Sequence, residues 1–265
     1  MRRRFFVEHF DSESATLRGD SAEHLGRVLR AQPGQLYELS DGERVWLGRV
    51  QRVALSKRGD NRIEFALVEL LPASEPSLKI ILLLALVKFD RFEWCLEKAT
   101  ELGVAEIIPM AAARTDKPLI DAARKRFSRW EKILLESAQQ SRRLRVPRLI
   151  AALDGSDSSA HSAAKILNSA RAFAEISAGS KVILSERRES APFREILAAP
   201  ALNAPALRPG SVALAIGPEG GWTDEELAAA RAAGFVEASL SQNILRTETA
   251  ALAAIATLQF ALGDS

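Results

Sequence analysis

A change of rhythm at Pro72-Ala-Ser-Glu-Pro76 constrains this chain more than any other feature. Before it, short apolar stretches are punctuated by turn residues at close intervals, as in a β-rich unit. After it, strand-like and helix-like segments alternate, which argues for a mostly parallel sheet with helices on both faces. The sequence therefore divides into residues 1–72 and 73–265.

In the first part, Arg4 to Phe10, Ala15 to Arg18 and Arg62 to Leu70 read as strands. Leu36 to Leu39 and Val45 to Val50 flank Asp41-Gly42, a strong hairpin signal because glycine accepts positive φ. A helix from Ala22 to Arg30 would set Leu25, Val28 and Leu29 on one face and stop at Pro33-Gly34. This pattern predicts a small β-barrel. In the second part, the expected strands are 79–87, 104–109, 146–150, 181–185, 211–216 and 235–240. The expected helices are 89–102, 120–141, 160–174, 192–199, 224–233 and 247–262, and Asp154 to Ser162 reads as a loop.

Several chemistries are disfavoured at once. The apolar run Ile80 to Val87 is too short to cross a membrane and reads as a buried strand. The amino-terminal Met-Arg-Arg-Arg leads into no secretory pattern, so a cytoplasmic protein is expected. Cys95 is the only cysteine and reads as inert core; it excludes an internal disulfide and a thiolate zinc cage. His9, His24 and His161 are too scattered to suggest a metal centre.

The net charge of +2 conceals segregation: residues 1–113 carry −1, residues 114–148 carry +7, and residues 149–265 carry −4. Clustered Lys and Arg of that kind suit a phosphate backbone, although a solvated helix face has the same composition. Glu93, Glu97 and Glu101 read as a solvated acidic stripe, and the four tryptophans as packing residues.

Three segments could carry chemistry. Ile216-Gly-Pro-Glu-Gly-Gly221 ends an apolar strand and leads through Thr223 and Glu226, a capping box, into a helix. Its glycines would let backbone groups approach a ligand, or merely form a turn. It lacks the Lys-Ser/Thr of a P-loop, and no Gly-x-Gly-x-x-Gly follows the first strand, so a nucleoside-triphosphate or dinucleotide pocket is disfavoured. Leu240 to Ala250 also runs from a strand end into a helix, one apolar enough to be buried all round or to pack on another subunit. Arg246 and Glu248 at its mouth suit either an ion pair that orders the turn or a catalytic pair. Lys88 and Arg91, after the first strand of the second part, could face a polyanion.

Taken in order, Glu97-Lys-Ala-Thr-Glu-Leu-Gly-Val104, Ile216 to Gly221 and Ile244-Leu-Arg-Thr-Glu-Thr-Ala250 closely resemble the bacterial ribosomal RNA small subunit methyltransferase E family. His24-Leu-Gly-Arg-Val-Leu-Arg30, Pro33-Gly34-Gln35, Gln139-Gln-Ser-Arg142 and Val146-Pro147 extend the resemblance over nearly the whole chain. It implies an α/β protein with a small amino-terminal PUA-like RNA-binding β-barrel and a carboxy-terminal SPOUT domain containing a trefoil knot. The scarcity of metal ligands already predicts a metal-independent protein, and the resemblance further implies a homodimer that uses S-adenosylmethionine (SAM) to methylate N3 of a uridine in 16S ribosomal RNA of the assembled small subunit.

On this resemblance, three loops hold the cofactor: Leu184, Ser185 and Glu186; then Ile216, Gly217, Pro218, Glu219, Gly220 and Gly221; then Leu240, Ser241, Asn243, Ile244, Leu245 and Arg246. Arg246 would stabilise charge on the uracil, and Glu248 would accept the proton or orient Arg246. Arg2, Arg3, Arg4, Lys88, Arg91, Arg114, Arg142 and Arg143 are the expected RNA contacts. Phe89 departs from the family pattern, where glycine is frequent, and Ser241-Gln242-Asn243 stands where Gly-Pro-Arg is common.

Overall fold

A computed structural model describes residues 3–56, 60–151, 166–198 and 210–263. It comprises two units, Met1–Glu75 with Leu135–Val146, and Pro76–Leu134 with Pro147–Ser265. His161 and the expected loop at 154–162 lie outside the described residues.

The first unit contains β1 (Arg4–Phe6), β2 (Ser14–Arg18), α1 (Gly19–Glu23), β3 (Leu36–Ser40), β4 (Val45–Ala54) and β5 (Arg62–Leu71). They form one sheet in the order β1-β3-β4-β5-β2, antiparallel except for the β1–β3 pair. Alternate residues of each strand face a core of Phe5, Leu17, Leu39, Ile63 and Phe65, which Ala22 and Leu25 complete. The expected hairpin forms at Asp41-Gly42. Gly42 has φ +90°, and the Asp41 carboxylate accepts hydrogen bonds from the amides of Glu43 (2.9 Å) and Arg44 (2.7 Å).

The expected helix at 22–30 is displaced. It starts at Gly19 and widens at His24–Val28 into a π-turn, with Leu29 N–H donating to the His24 carbonyl. The wider turn rotates Val28 outward to 64% exposure, while Leu25 stays buried.

The second unit opens with β6 (Lys79–Ala85), α2 (Phe89–Glu101), β7 (Glu106–Ala111) and α3 (Lys117–Ala123), followed by α4 (Phe127–Gln140), whose last turns belong to the first unit. Then come β8 (Arg148–Leu149), β9 (Leu167–Asn168), α5 (Ser169–Glu175), β10 (Ser180–Leu184), β11 (Ala191–Pro192) and α6 (Phe193–Ala198). It ends with β12 (Ser211–Ile216), α7 (Asp224–Ala232), β13 (Val236–Ser239) and α8 (Thr247–Leu262). Its sheet runs β11-β13-β10-β12-β6-β7-β8, with β9 also on β7, and every pair is parallel. Central β6 is buried on both faces, which explains its unbroken apolar run. Ile81, Leu83 and Ala85 pack with Phe173 of α5 and Leu227 of α7, while Ile80, Leu82 and Leu84 are as deeply buried.

Other expectations need correction. The helix expected at 120–141 is broken by a tight turn at Arg124–Arg126, after which Trp130 packs against both Phe92 and Phe127. The helix expected at 160–174 is, within the described residues, the β9 strand followed by α5, which Asn168 caps by accepting from Arg171 N–H. Glu93 is no member of a solvated stripe: Arg126 and Arg129 grip its carboxylate at 2.8 and 2.9 Å. Trp94 is 44% exposed instead of packed, and α8 is buried on one side only, leaving Phe260 92% exposed. Cys95 is buried as expected, and burial, reinforced by the Glu248 charge, pushes its thiol up to about 12.

Burial by itself would raise the Asp41 carboxyl, but the Arg44 and Glu43 amides and the Arg44 guanidinium hold it below the usual carboxylate range. A depressed folded-state pKa adds stability above the unfolded value of about 3.9, and that stability is lost as pH falls through the folded value. Asp41→Asn is therefore expected to destabilise by about 1 kcal/mol at pH 7. In urea unfolding, its difference from wild type should vanish toward pH 2.

Candidate functional site

β13, β10 and β12 are neighbours in the parallel sheet, and pairings such as Leu184 with Ala238 and Ile183 with Ala215 nearly align their carboxyl ends. The loops leaving those ends therefore emerge side by side, at the edge where open α/β sheets bind ligands. They enclose a cavity of about 300 Å³. The first loop contributes Leu184, Ser185 and Glu186, and the second Ile216, Gly217, Pro218 and Gly221. The third contributes Leu240, Ser241, Asn243 and Leu245. Of the other expected cofactor residues, Glu219, Gly220, Ile244 and Arg246 do not line this cavity. Arg114, Trp222, Thr247 and Ala250 do. The capping box and glycines drew attention to their neighbourhood, but no sequence signal marked these four for the wall.

Side chains between the loops fix the shape of the cavity. Trp222 Nε1 donates to the Leu184 carbonyl at 2.8 Å, joining the first two loops. A Cβ at Gly217 would come within 2.9 Å of the same indole, so close packing excludes any larger residue there. Gly221 has φ +70°, and a side chain on it would meet the Glu186 carboxylate. Thr247 Oγ1 donates to the Gly217 carbonyl at 3.0 Å, joining the second and third loops. From the loop after β7, Arg114 packs over Gly220 and donates to its carbonyl.

Below this layer sits Glu226, which is only 6% exposed. It completes the expected capping box, accepting from Thr223 N–H at 3.0 Å while its own N–H donates to Thr223 Oγ1. The same carboxylate also accepts from Ala113 N–H at 2.9 Å and from Ser169 Oγ at 2.6 Å. One side chain thus ties the start of α7 to the loop that carries Arg114 and to the start of α5.

Arg246 and Glu248 make no ion pair with each other among the described residues. Arg246 occupies the N-cap of α8, is exposed and makes no ion pair among the described residues. Glu248 instead faces Arg91 of α2, with Oε1 at 3.9 Å from Nε, and its buried Oε2 has no hydrogen-bond partner among the described residues. Arg91 also pairs with Glu219, so it bridges the second loop and the start of α8.

The expected RNA contacts are scattered and largely engaged. Arg2 lies outside the described residues. Arg4 and Arg142 both turn to Glu38, at 2.9 and 3.5 Å. Burial pushes the Arg143 guanidinium down to about 10. Arg3 and Lys88 are exposed. Much of the basic segment 114–148 is paired within its own unit: Arg126 and Arg129 with Glu93, Arg145 with Glu75, and Arg148 with Glu106. Among the described residues, no group of three or more His, Cys, Asp or Glu could hold a metal ion, and no helix is long and apolar enough to cross a membrane.

Residues 74–259 match the family model of the RNA methyltransferase domain. The chain is 31% identical over 247 residues to ribosomal RNA small subunit methyltransferase E of Mycobacterium bovis, covering 91% of this chain and 84% of that one. The crystal structure of ribosomal RNA small subunit methyltransferase E from Neisseria gonorrhoeae, bound to SAM, superposes with a TM-score of 0.79 at 30% identity, covering 100% of this chain and 99% of that one. A methyltransferase from Legionella pneumophila in complex with SAM gives 0.78 at 28% identity, with both chains fully covered. With sequence and fold in agreement over its whole length, the chain belongs to the ribosomal RNA small subunit methyltransferase E family.

Proposed function

We propose that this protein transfers the methyl group of SAM to N3 of a uridine in 16S ribosomal RNA, acting on the assembled small subunit in the cytoplasm. The observation that carries this reading is the cavity formed by three loops at the ends of adjacent parallel strands, in a chain whose relatives include SAM-bound structures.

The residues present suit that cofactor. Leu184, Ile216, Leu240 and Leu245 offer apolar walls to a flat base, and Gly217 and Gly221 leave backbone bare at the loop turn. Glu186 brings a carboxylate to the wall, which complements a cationic ligand. When bound, SAM supplies a methyl group made electrophilic by the sulfonium to which it is attached. The loops hold that donor in one orientation, and alignment with the acceptor lowers the barrier.

N3 of uridine must lose its proton as it attacks, so negative charge builds on the uracil oxygens. Arg246, exposed and without a carboxylate partner among the described residues, is the guanidinium available to stabilise that charge. Glu248, held beside Arg91 at the start of α8, accepts the N3 proton or orients Arg246, and the sulfonium leaves as the neutral thioether.

In this reading the first unit is a PUA-like barrel that binds RNA, and the second is a SPOUT domain. The convergence of three loops on one cavity supports a trefoil knot as the device that assembles it. The exposure of Ile244 at 80% and Phe260 at 92% supports a homodimer that covers the third loop and α8.

Two experiments test the proposal. Labelled SAM supplied with unmodified small subunits, naked 16S RNA and transfer RNA should yield 3-methyluridine in the 16S RNA of the subunits, and label in transfer RNA alone would contradict it. Arg246→Ala should lower kcat by about 10²-fold or more with SAM saturating, while calorimetry finds SAM affinity close to that of wild type.

A further inference from the structure

We propose that the outward face of the first unit's sheet, carrying Arg18, Arg49, Arg52 and Arg62, binds the phosphate backbone of RNA. The proposal rests on the reading that the protein acts on ribosomal RNA, and it gives that substrate a surface remote in sequence from the basic segment 114–148.

Strand register brings these residues together. Arg18 of β2 is directly opposite Arg62 of β5. On the other side of β5, Arg52 of β4 is opposite Glu64 and Arg49 is opposite Ala66. Residues 62, 64 and 66 share one face of β5, so all four arginines point the same way. Arg49 and Arg52 are three apart and would face opposite sides of a regular strand. The register shift between Val50 and Arg52 inserts one extra residue and returns Arg52 to the side of Arg49. The other face of the same sheet is the apolar core, where Leu17, Val50, Ile63 and Phe65 pack with α1, so the arginine face is the solvent side.

The charge on this face is only partly compensated. Glu64 approaches Arg62 at 3.7 Å, whereas Arg18, Arg49 and Arg52 are exposed and have no ion pair among the described residues. Opposed like charges such as Arg18 and Arg62 destabilise a sheet. A polyanion lying across the three strands relieves that repulsion, and arginine suits phosphate oxygens through its planar set of donors.

The test compares wild type, the triple variant Arg18→Ala/Arg49→Ala/Arg52→Ala and the triple variant Arg18→Lys/Arg49→Lys/Arg52→Lys. Affinity for unmodified small ribosomal subunits is measured over a salt series, with SAM affinity and melting temperature measured in parallel. The alanine variant should bind RNA at least about tenfold more weakly and lose about two to three units of slope in log K against log salt, with SAM affinity and melting temperature retained. The lysine variant should keep most of the wild-type slope. A wild-type slope in the alanine variant, or an equal loss in the lysine variant, overturns the proposal. Failure of the wild-type protein to bind small subunits at all would instead overturn the ribosomal RNA reading on which it rests.

Discussion

The Glu226 carboxylate is the interaction on which the second unit's cavity depends. A buried carboxylate is costly unless its oxygens are satisfied, and here three donors from three separate segments satisfy them: Thr223 N–H, Ala113 N–H and Ser169 Oγ. Hydrogen bonds to a charged group in a water-poor site are stronger than neutral ones, so the segments are held in register as well as in contact. Ala113 is followed by Arg114, which reaches the Gly220 carbonyl. Thr223 follows Trp222, which reaches the Leu184 carbonyl. The carboxylate therefore anchors the residues that join the loops, although it does not line the cavity itself.

Arg91 plays a comparable part on the α2 side, where it meets both Glu219 and Glu248. A guanidinium read from sequence as an RNA contact is committed to the architecture of the loops. The same is true of much of the basic segment 114–148, whose arginines meet Glu38, Glu75, Glu93 and Glu106. Charge clustered along the chain is therefore not charge clustered in space. The arginines without a carboxylate partner among the described residues, Arg18, Arg49 and Arg52, gather beside Arg62 through β-pairing and a bulge, a pattern that no window along the sequence could contain.

What was legible in the sequence was local in origin. The hairpin at Asp41-Gly42, the capping box of Thr223 and Glu226, the buried run of β6 and the strand-to-helix passages at Ile216 and Leu240 each follow from side-chain chemistry within a few residues. Eleven of the expected cofactor-loop residues line one cavity because the ends of three parallel strands align. The adjacency of β13, β10 and β12 was beyond local reading, since their order in the sheet is not their order in the chain. So were the π-turn that rotates Val28 outward, the break at Arg124–Arg126 and the partners of Glu226, which lie 57 and 113 residues away.

The most direct test of this account is a calorimetric titration of SAM into Glu226→Gln protein, with wild type in parallel. Glutamine keeps the size of the side chain but presents an amide N–H₂ where the site requires an acceptor. If this buried carboxylate organises the cavity, SAM affinity should fall by at least about tenfold, or about 1.4 kcal/mol, although no residue of the cavity wall has changed. An affinity equal to that of wild type, in variant protein with reduced thermal stability, would contradict it.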